Sequence, residues 1–225
     1  MAHYAKASYA LHGITMPVDR KIMSNVVVAS LMNGSFERPE ALLLGEKLRK
    51  DDRILELGGG LGLISAMSAK IADQGTVVTV EANVDIIGYL RRVHEINHTN
   101  VEIINSVVVG MHTKSKLPFY VREDFWSSSL SVDPRNFSMV REVDVVAIAE
   151  LVDKHRPTVV ICDIEGGEID LIEANWTKGV RLVMMEVHPS SFGKIGLEKI
   201  CSFLTGNGFE VKLKKDLLTA SRHSI

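Results

Sequence analysis

The chain has no block of positive charge. No uninterrupted run of Lys and Arg exceeds a pair such as Arg91, Arg92 or Lys214, Lys215, and the formal net charge is −2. This leaves no electrostatic footprint for nucleic acid or an anionic membrane, so a small or neutral substrate is favoured. Cysteine is scarce as well. Cys162 and Cys201 lie far apart in apolar surroundings, which reads as two buried free thiols rather than a disulfide or metal pair, and points to a reducing cytoplasm. The longest apolar stretches fall short of a membrane span, and Met1 to Leu11 lacks the charged-then-apolar pattern of a signal peptide. Repeats, low-complexity tracts and linkers are absent from the sequence. What remains is 225 residues, 46% hydrophobic and 24% charged, enough for one well-cored α/β domain and too few for a comfortable second.

Leu42, Leu43, Leu44 and Leu48 mark an amphipathic helix from Arg38 onward, and Asp51 and Asp52 turn the chain into a strand at Ile54 to Leu57. Strands and helices then alternate. A helix is expected over Leu61 to Ile71, a strand over Thr76 to Val80, a helix near Val84 to Ile96 and a strand over Val101 to Ile104. Thr158 to Ile161 and Leu182 to Val187 are further apolar, β-branched runs, Ile195 to Thr205 is helical in pattern, and Phe209 to His223 can close as a hairpin. Continuous apolar strands separated by helix-length segments predict an α/β fold with a doubly wound, mostly parallel sheet. Met1 to Phe36 falls outside this rhythm and is expected to wrap or cap the sheet. Lys114 to Ser138, with Phe119, Tyr120, Phe125 and Trp126 beside Ser127, Ser128 and Ser129, is expected to be a long binding loop or lid.

Ile54-Leu55-Glu56-Leu57-Gly58-Gly59-Gly60-Leu61-Gly62 carries a buried strand into a glycine turn. Without side chains the backbone turns tightly and approaches a ligand, and the helix that follows offers free N–H groups. The Gly-x-Gly-x-Gly spacing differs from the Gly-x-Gly-x-x-Gly of dinucleotide binders, since Leu63 stands at the third glycine's place. Glu81 ends the next apolar run, roughly 20 residues beyond the turn, where a carboxylate can accept both hydroxyls of a ribose. A ribosyl cofactor without phosphate tolerates Glu56, which can hold its amino group, and S-adenosylmethionine fits that description. A plain strand-to-helix turn and a helix-capping Glu81 are the bland alternatives.

Val159 to Glu168 brings Asp163, Glu165 and Glu168 to the end of a buried strand, where ligands bind in open α/β sheets. Carboxylates this close repel, so one of them needs a raised pKa or a cationic partner. Asp163 can orient the methionine portion or face the sulfonium. Glu165 or Glu168 can take a proton or, for Glu168 equally, cap the next helix. Glu186 and His188 end the following strand on one face. His188 is the first candidate for a general base toward a hydroxyl, with Asp163 and Glu165 next, although a structural His bonded to a loop carbonyl fits as well. The spacing of Asp163, Glu165 and His188 fixes no metal geometry, and no metal is expected.

The glycine turn, Glu81, Trp126-Ser127-Ser128-Ser129-Leu130 and, above all, Asp163-Ile164-Glu165-Gly166-Gly167-Glu168 followed by Glu186-Val187-His188-Pro189 resemble the FkbM family of S-adenosylmethionine-dependent methyltransferases. The likeness runs from about Gly34 to Phe209. It implies a Rossmann-like class I methyltransferase fold, with a seven-stranded sheet and a C-terminal antiparallel hairpin, over residues 37–225. It also implies that Glu37, in Gly34-Ser35-Phe36-Glu37, lies near the cofactor. Glu56, Gly58, Gly60, Gly62 and Asp163 would line its methionine end, Glu81 with Ala82 its ribose, and Asn105 with Ser106 its adenine. Trp126 and Ser128 would form an acceptor wall or lid, though Trp126 can equally be packing. The family often has Asp-x-Gly-Ala-Asn-x-Gly at the turn, whereas Gly59 and Gly60 stand here for Ala and Asn, so any contact made by that amide must come from backbone or water.

The resemblance implies O-methylation of a hydroxyl on a small molecule such as a sugar, polyketide or other natural product; the cysteine usage and charge pattern add the expectation of a cytoplasmic protein without nucleic acid or membrane as partner. Two other readings stay open: an NAD(P)-dependent oxidoreductase, disfavoured by Leu63, and a cofactor-binding module without turnover. A nucleic-acid methyltransferase is disfavoured because no Asn/Asp-Pro-Pro-Tyr type segment is present and Asp163-Ile164-Glu165-Gly166 occupies its place.

Overall fold

A computed structural model of the chain describes residues 7–111, 114–121 and 139–222. Its order is β1 (Ser8–Leu11), β2 (Ile14–Pro17), α1 (Asn25–Asn33), α2 (Arg38–Lys47), β3 (Arg53–Leu57), α3 (Leu63–Ile71), β4 (Thr76–Glu81), α4 (Val84–Asn97), β5 (Glu102–Asn105) and β6 (Val107–Val109). There follow β7 (Lys116–Val121), β8 (Met139–Ala147), α5 (Ile148–His155), β9 (Val159–Cys162), a 3-10 helix (Gly167–Glu173), β10 (Leu182–Glu186), α6 (Pro189–Gly206), β11 (Glu210–Lys214) and β12 (Leu217–Ser221).

The central sheet has seven strands in the order β11-β12-β10-β9-β3-β4-β5. From β10 to β5 every neighbouring pair is parallel, and β12 with β11 forms the antiparallel C-terminal hairpin. Period-two alternation explains why both faces are covered. Ile54, Val77, Val159, Ile161, Leu182 and Met184 face a core shared with α1, α2 and α3. Leu55, Leu57, Val78, Val80, Val160, Val183 and Met185 face a second core shared with α5 and α6. At roughly 1.5–3 kcal/mol for each fully buried side chain, these two layers are the main source of stability.

The hairpin of β1 and β2 belongs to the first core through Leu11, Ile14 and Met16. It is pinned to α4: Asn97 accepts from Thr15 N at 2.7 Å and donates to Thr15 O at 2.9 Å, and Tyr89 Oη donates to Pro17 O at 2.7 Å. The expected loop over 114–138 is corrected in part. Lys116–Val121 is a strand, pairing antiparallel with β8 in a separate three-stranded sheet, β6-β8-β7. Its alternation turns Phe119 inward against Val107 and Val143, a period-two pattern hidden in the sequence by Pro118. Trp126 and Ser128 lie outside the described residues.

Candidate active site

The four parallel strands β3, β4, β9 and β10 end on one side, and there a cleft of about 280 Å³ opens. Its walls carry Glu37, Gly58, Gly60, Glu81, Ala82, Ser106, Asp163, Glu165 and Glu186, with apolar surface from Phe36, Ile86, Val107, Val108 and Phe119. A smaller cavity of about 40 Å³ shares Glu37, Gly58, Asp163 and Glu186 with it and is further lined by Glu40 and Glu56.

Gly58 N and Gly59 N both donate to Val80 O, at 2.8 and 3.2 Å, so the glycine turn is bonded to the end of β4. Gly58 has φ +87, and a Cβ there would lie 1.7 Å from Asp163 O. Glycine is therefore required twice, by conformation and by the close passage of the β9 end. Glu81 is buried against this turn. Its Oε2 accepts from Gly60 N at 2.8 Å and its Oε1 from Asn83 N at 2.6 Å. Burial raises its pKa, against the lowering by those N–H groups. Glu81 lines the cleft, where its carboxyl can also accept from a ligand hydroxyl. Asn105 does not line the cleft; its Nδ2 donates to the carbonyls of Glu81 and Ala82 at 2.7 and 3.1 Å, fixing the backbone behind the acid. Gly62 also turns away, since a Cβ there would meet Leu90 and His94.

Glu56 lines the smaller cavity rather than the main cleft. Thr79 Oγ1 donates to its Oε2. Burial, opposed by the hydroxyls of Thr79 and Ser65 and aided by Glu81 and Asp163, pushes it up to about 8, so the carboxyl is mostly neutral at pH 7. Glu37 begins α2 with φ +46, and its Oε2 is closed to solvent without a hydrogen-bond partner among the described residues. Its burial, with Glu56 and Asp163 nearby, raises its pKa strongly. Glu165, with φ +54, is the second cleft residue other than glycine in the left-handed region. Such conformations cost about 1–3 kcal/mol each and gather at functional sites.

The last group joins two strand ends. His188 Nδ1 lies 2.9 Å from Glu168 Oε1, while its Nε2 lies 3.4 Å from Glu165 Oε2 and 3.8 Å from Asp163 Oδ1. Glu168 is fully buried and its Oε1 also accepts from Ile164 N and Gly166 N. Burial alone would lower the His188 pKa, but the hydrogen bond and charge of Glu168, with Glu165 and Asp163, push it up to about 9. Asp163 rises to about 7 through burial and the charge of Glu165, opposed by His188. Glu186 rises to about 7 through burial and Asp163. His188 itself does not line the cleft and reaches it through Asp163 and Glu165.

Sequence reasoning missed the apolar wall of Phe36, Ile86, Val107 and Val108, and it missed Glu40. Phe36 sits beside Glu37 and Ile86 one turn into a capped helix, positions that a strand-end argument could have flagged. Val107 and Val108 belong to the second sheet, for which no signal was read. No helix among the described residues is long and apolar enough to cross a membrane.

The fold recurs in solved structures. A precorrin-6y C5,15-methyltransferase from Geobacter metallireducens GS-15 is 14% identical, with 92% of this chain and 93% of that one aligned at a TM-score of 0.54. TYW2 of M. jannaschii, in complex with AdoMet, is 12% identical over 98% and 87% of the two chains, TM-score 0.53. The FkbM methyltransferase of Methylobacillus flagellatus KT is 12% identical, TM-score 0.52; 90% of this chain aligns but only 56% of that one, so this chain spans about half its length. At such identities the likeness is one of fold. No curated protein matches the sequence. The family model for the methyltransferase FkbM domain matches residues 61–211, from the glycine turn to β11, which sets aside the oxidoreductase reading: the chain belongs to the FkbM family of S-adenosylmethionine-dependent methyltransferases.

Proposed function

We propose that the cleft holds S-adenosylmethionine with its ribose on Glu81 and its methionine end toward Glu37, Glu56 and Asp163, and that it methylates a hydroxyl of a small-molecule acceptor. One observation carries this reading: Glu81 is buried and bonded to the glycine turn through Gly60 N, so a carboxyl and a bare backbone bend face the same cavity. The cofactor is cationic at sulfur and nitrogen, and the carboxylates of Glu37, Asp163, Glu165 and Glu186 along the walls suit it. They also repel phosphates, which favours an uncharged or cationic acceptor over nucleic acid. The AdoMet bound in the TYW2 structure supports a cofactor of this size on this fold.

In the transfer a lone pair of the acceptor oxygen forms the O–C bond while the S–C pair returns to sulfur, leaving neutral S-adenosylhomocysteine. The hydroxyl proton passes to Asp163 or Glu165, with the protonated His188 behind them. Asp163 and Glu165 line the cleft, so they meet the acceptor before His188 does. Much of the rate comes from holding the reactants at attack distance. Calorimetry with S-adenosylmethionine, S-adenosylhomocysteine and NAD tests the binding half. The first two should bind, and Glu81→Ala should weaken them at least tenfold, as expected for losing hydrogen bonds to a charged group; NAD binding alone overturns the reading. A mass-spectrometric screen of hydroxylated acceptors tests the rest, and cofactor binding with no methylated product from any acceptor would leave a binding module.

A further inference from the structure

We propose that Asp163, Glu165 and His188 form a site for one divalent cation of the Mg²⁺ and Mn²⁺ class at the edge of the cleft. The three residues each offer one donor atom, and these atoms lie within 4.8 Å of one another. In an octahedral shell with bonds of about 2.1 Å, adjacent ligand atoms sit about 3 Å apart. The separations from His188 Nε2, 3.4 Å to Glu165 and 3.8 Å to Asp163, therefore need closure by less than about 1 Å, within reach of side-chain rotation. Two carboxylate oxygens and one imidazole nitrogen suit Mn²⁺ and Mg²⁺ better than a thiophilic ion.

Two observations besides proximity point to a ligand. The first is Glu168, which is fully buried and engages His188 Nδ1 at 2.9 Å. With an ion bound, Nδ1 keeps donating to Glu168 while the Nε2 proton gives way to the ion, so that the Nε2 lone pair faces Asp163 and Glu165, the arrangement by which an outer carboxylate orients a metal-binding histidine. The second is that Asp163 Oδ1 and Glu168 Oε2 are closed to solvent and have no hydrogen-bond partner among the described residues. The Asp163 side chain is 45% exposed, so it is the inward oxygen alone, 3.8 Å from His188 Nε2, that lacks a partner, and a cation there supplies one. Asp163 and Glu165 line the cleft while His188 stands behind them, so the open coordination positions face the acceptor.

The role of the ion rests on the methyl-transfer reading. With the ion in place the acceptor hydroxyl would be its ligand and the proton would leave to water instead of to Asp163 or Glu165, so that the bound oxygen forms the O–C bond as the S–C bond breaks onto sulfur. A cation in this place activates the hydroxyl as a Lewis acid and holds it against the methyl group.

The test is a titration of the EDTA-stripped full chain with MnCl₂, followed by the electron paramagnetic resonance of free Mn²⁺, with S-adenosylmethionine calorimetry and circular dichroism on the same samples. One Mn²⁺ should bind per chain, and Asp163→Asn and Glu165→Gln should each raise its Kd at least about tenfold with the fold intact. Glu168→Gln, which keeps the shape but weakens the orienting bond, should raise it several-fold, toward the about 10- to 100-fold typical of outer partners. The exposed Glu46→Gln should change nothing. Absence of bound Mn²⁺ at roughly 10 mM, above even the weakest Kd of about 10⁻³ M for built oxygen-ligand sites, overturns the proposal, as does an unchanged Kd in the Asp163 and Glu165 variants. Saturating S-adenosylmethionine should leave Mn²⁺ bound; mutual exclusion would mean that the sulfonium charge takes the ion's place, and also overturns it. Variant-dependent Mn²⁺ binding without any S-adenosylmethionine binding would keep the site and sink the methyl-transfer reading, and the reverse result would do the opposite.

Discussion

Asp52 precedes β3 at the amino end of the central sheet and is 2% exposed, yet every part of its charge is met. Arg181 binds it through two nitrogens, Thr158 Oγ1 donates at 2.7 Å and Arg49 N at 2.7 Å. Burial would raise its pKa, but these partners together hold it below the usual carboxylate value. Along the carboxyl end of the same strands, Glu37, Glu56, Asp163 and Glu186 are raised instead, each with burial as the leading cause. One end is a finished ion pair; at the other, among the described residues, several carboxyls crowd one another and share the imidazole of His188. A buried acid with its own arginine closes a structure; several with a cavity between them hold a site open at a cost in stability.

The sharpest way to break the contrast is to remove charge from each end. Arg181→Met should leave Asp52 buried and unpaired and lower the unfolding free energy by about 3–5 kcal/mol in urea titrations. Asp163→Asn removes a repelled charge and should leave the apo protein unchanged or up to about 1 kcal/mol more stable, while activity falls. If both variants lose equally, the two ends are not different in kind. Next in size is Gly58→Ala, at the point where the two strand ends touch. Its Cβ would strike Asp163 O in a left-handed backbone, so about 3 kcal/mol of stability and all cofactor binding should go, read from the same titration and from calorimetry.

How much of this was legible depends on whether the signal was local. The strand at Ile54, the glycine turn and Glu81 follow in sequence order, each announced by its own apolar run, and the sheet that joins them came with the rhythm. The doubly wound core and the C-terminal hairpin were readable for the same reason. Asp52 and Arg181 were not, because a pair 129 residues apart leaves no spacing to read. The β7 strand hid behind Pro118 and a serine-rich sequel. His188, expected at a strand end, stands two residues past β10 as the N-cap of α6, and its partner is the side chain of Glu168 rather than a loop carbonyl.

The two ends should also answer pH in opposite senses. Asp52 has a lowered folded pKa, so its contribution is complete above the unfolded value of 3.8 and is lost as pH falls through the folded one. Glu56 is the reverse: raised from 4.5 to about 8, its folded form keeps a proton that the unfolded chain has released, so stability is full below pH 4.5 and declines as pH rises to about 8. Over that window the unfolding free energy of the apo protein should drop by on the order of 5 kcal/mol through Glu56 alone, and Glu56→Gln should make the slope shallower by that share. A wild-type curve that rises from pH 5 to 8 would show that Glu56 is ionised in the fold.

The smallest expected effect restores the residues that relatives often carry at the turn. Gly60 has φ +49, and a Cβ there would have Glu37 Oε1 as its nearest neighbour at 3.8 Å. Asparagine tolerates this left-handed conformation better than other side chains do, so Gly60→Asn should change stability by no more than about 0.5 kcal/mol. Gly59→Ala looks just as mild on paper and should not be. Its Cβ would lie 2.5 Å from Thr79 Oγ1, a hydroxyl that cannot swing away without releasing Glu56. The alanine should therefore cost about 1–3 kcal/mol, and the cost should shrink in the double variant with Thr79→Ser only if removing the methyl lets the hydroxyl move while keeping its bond. Equal and small losses for Gly59→Ala and Gly60→Asn would mean that Thr79 is not held by Glu56, and that the acid end is looser than its geometry implies.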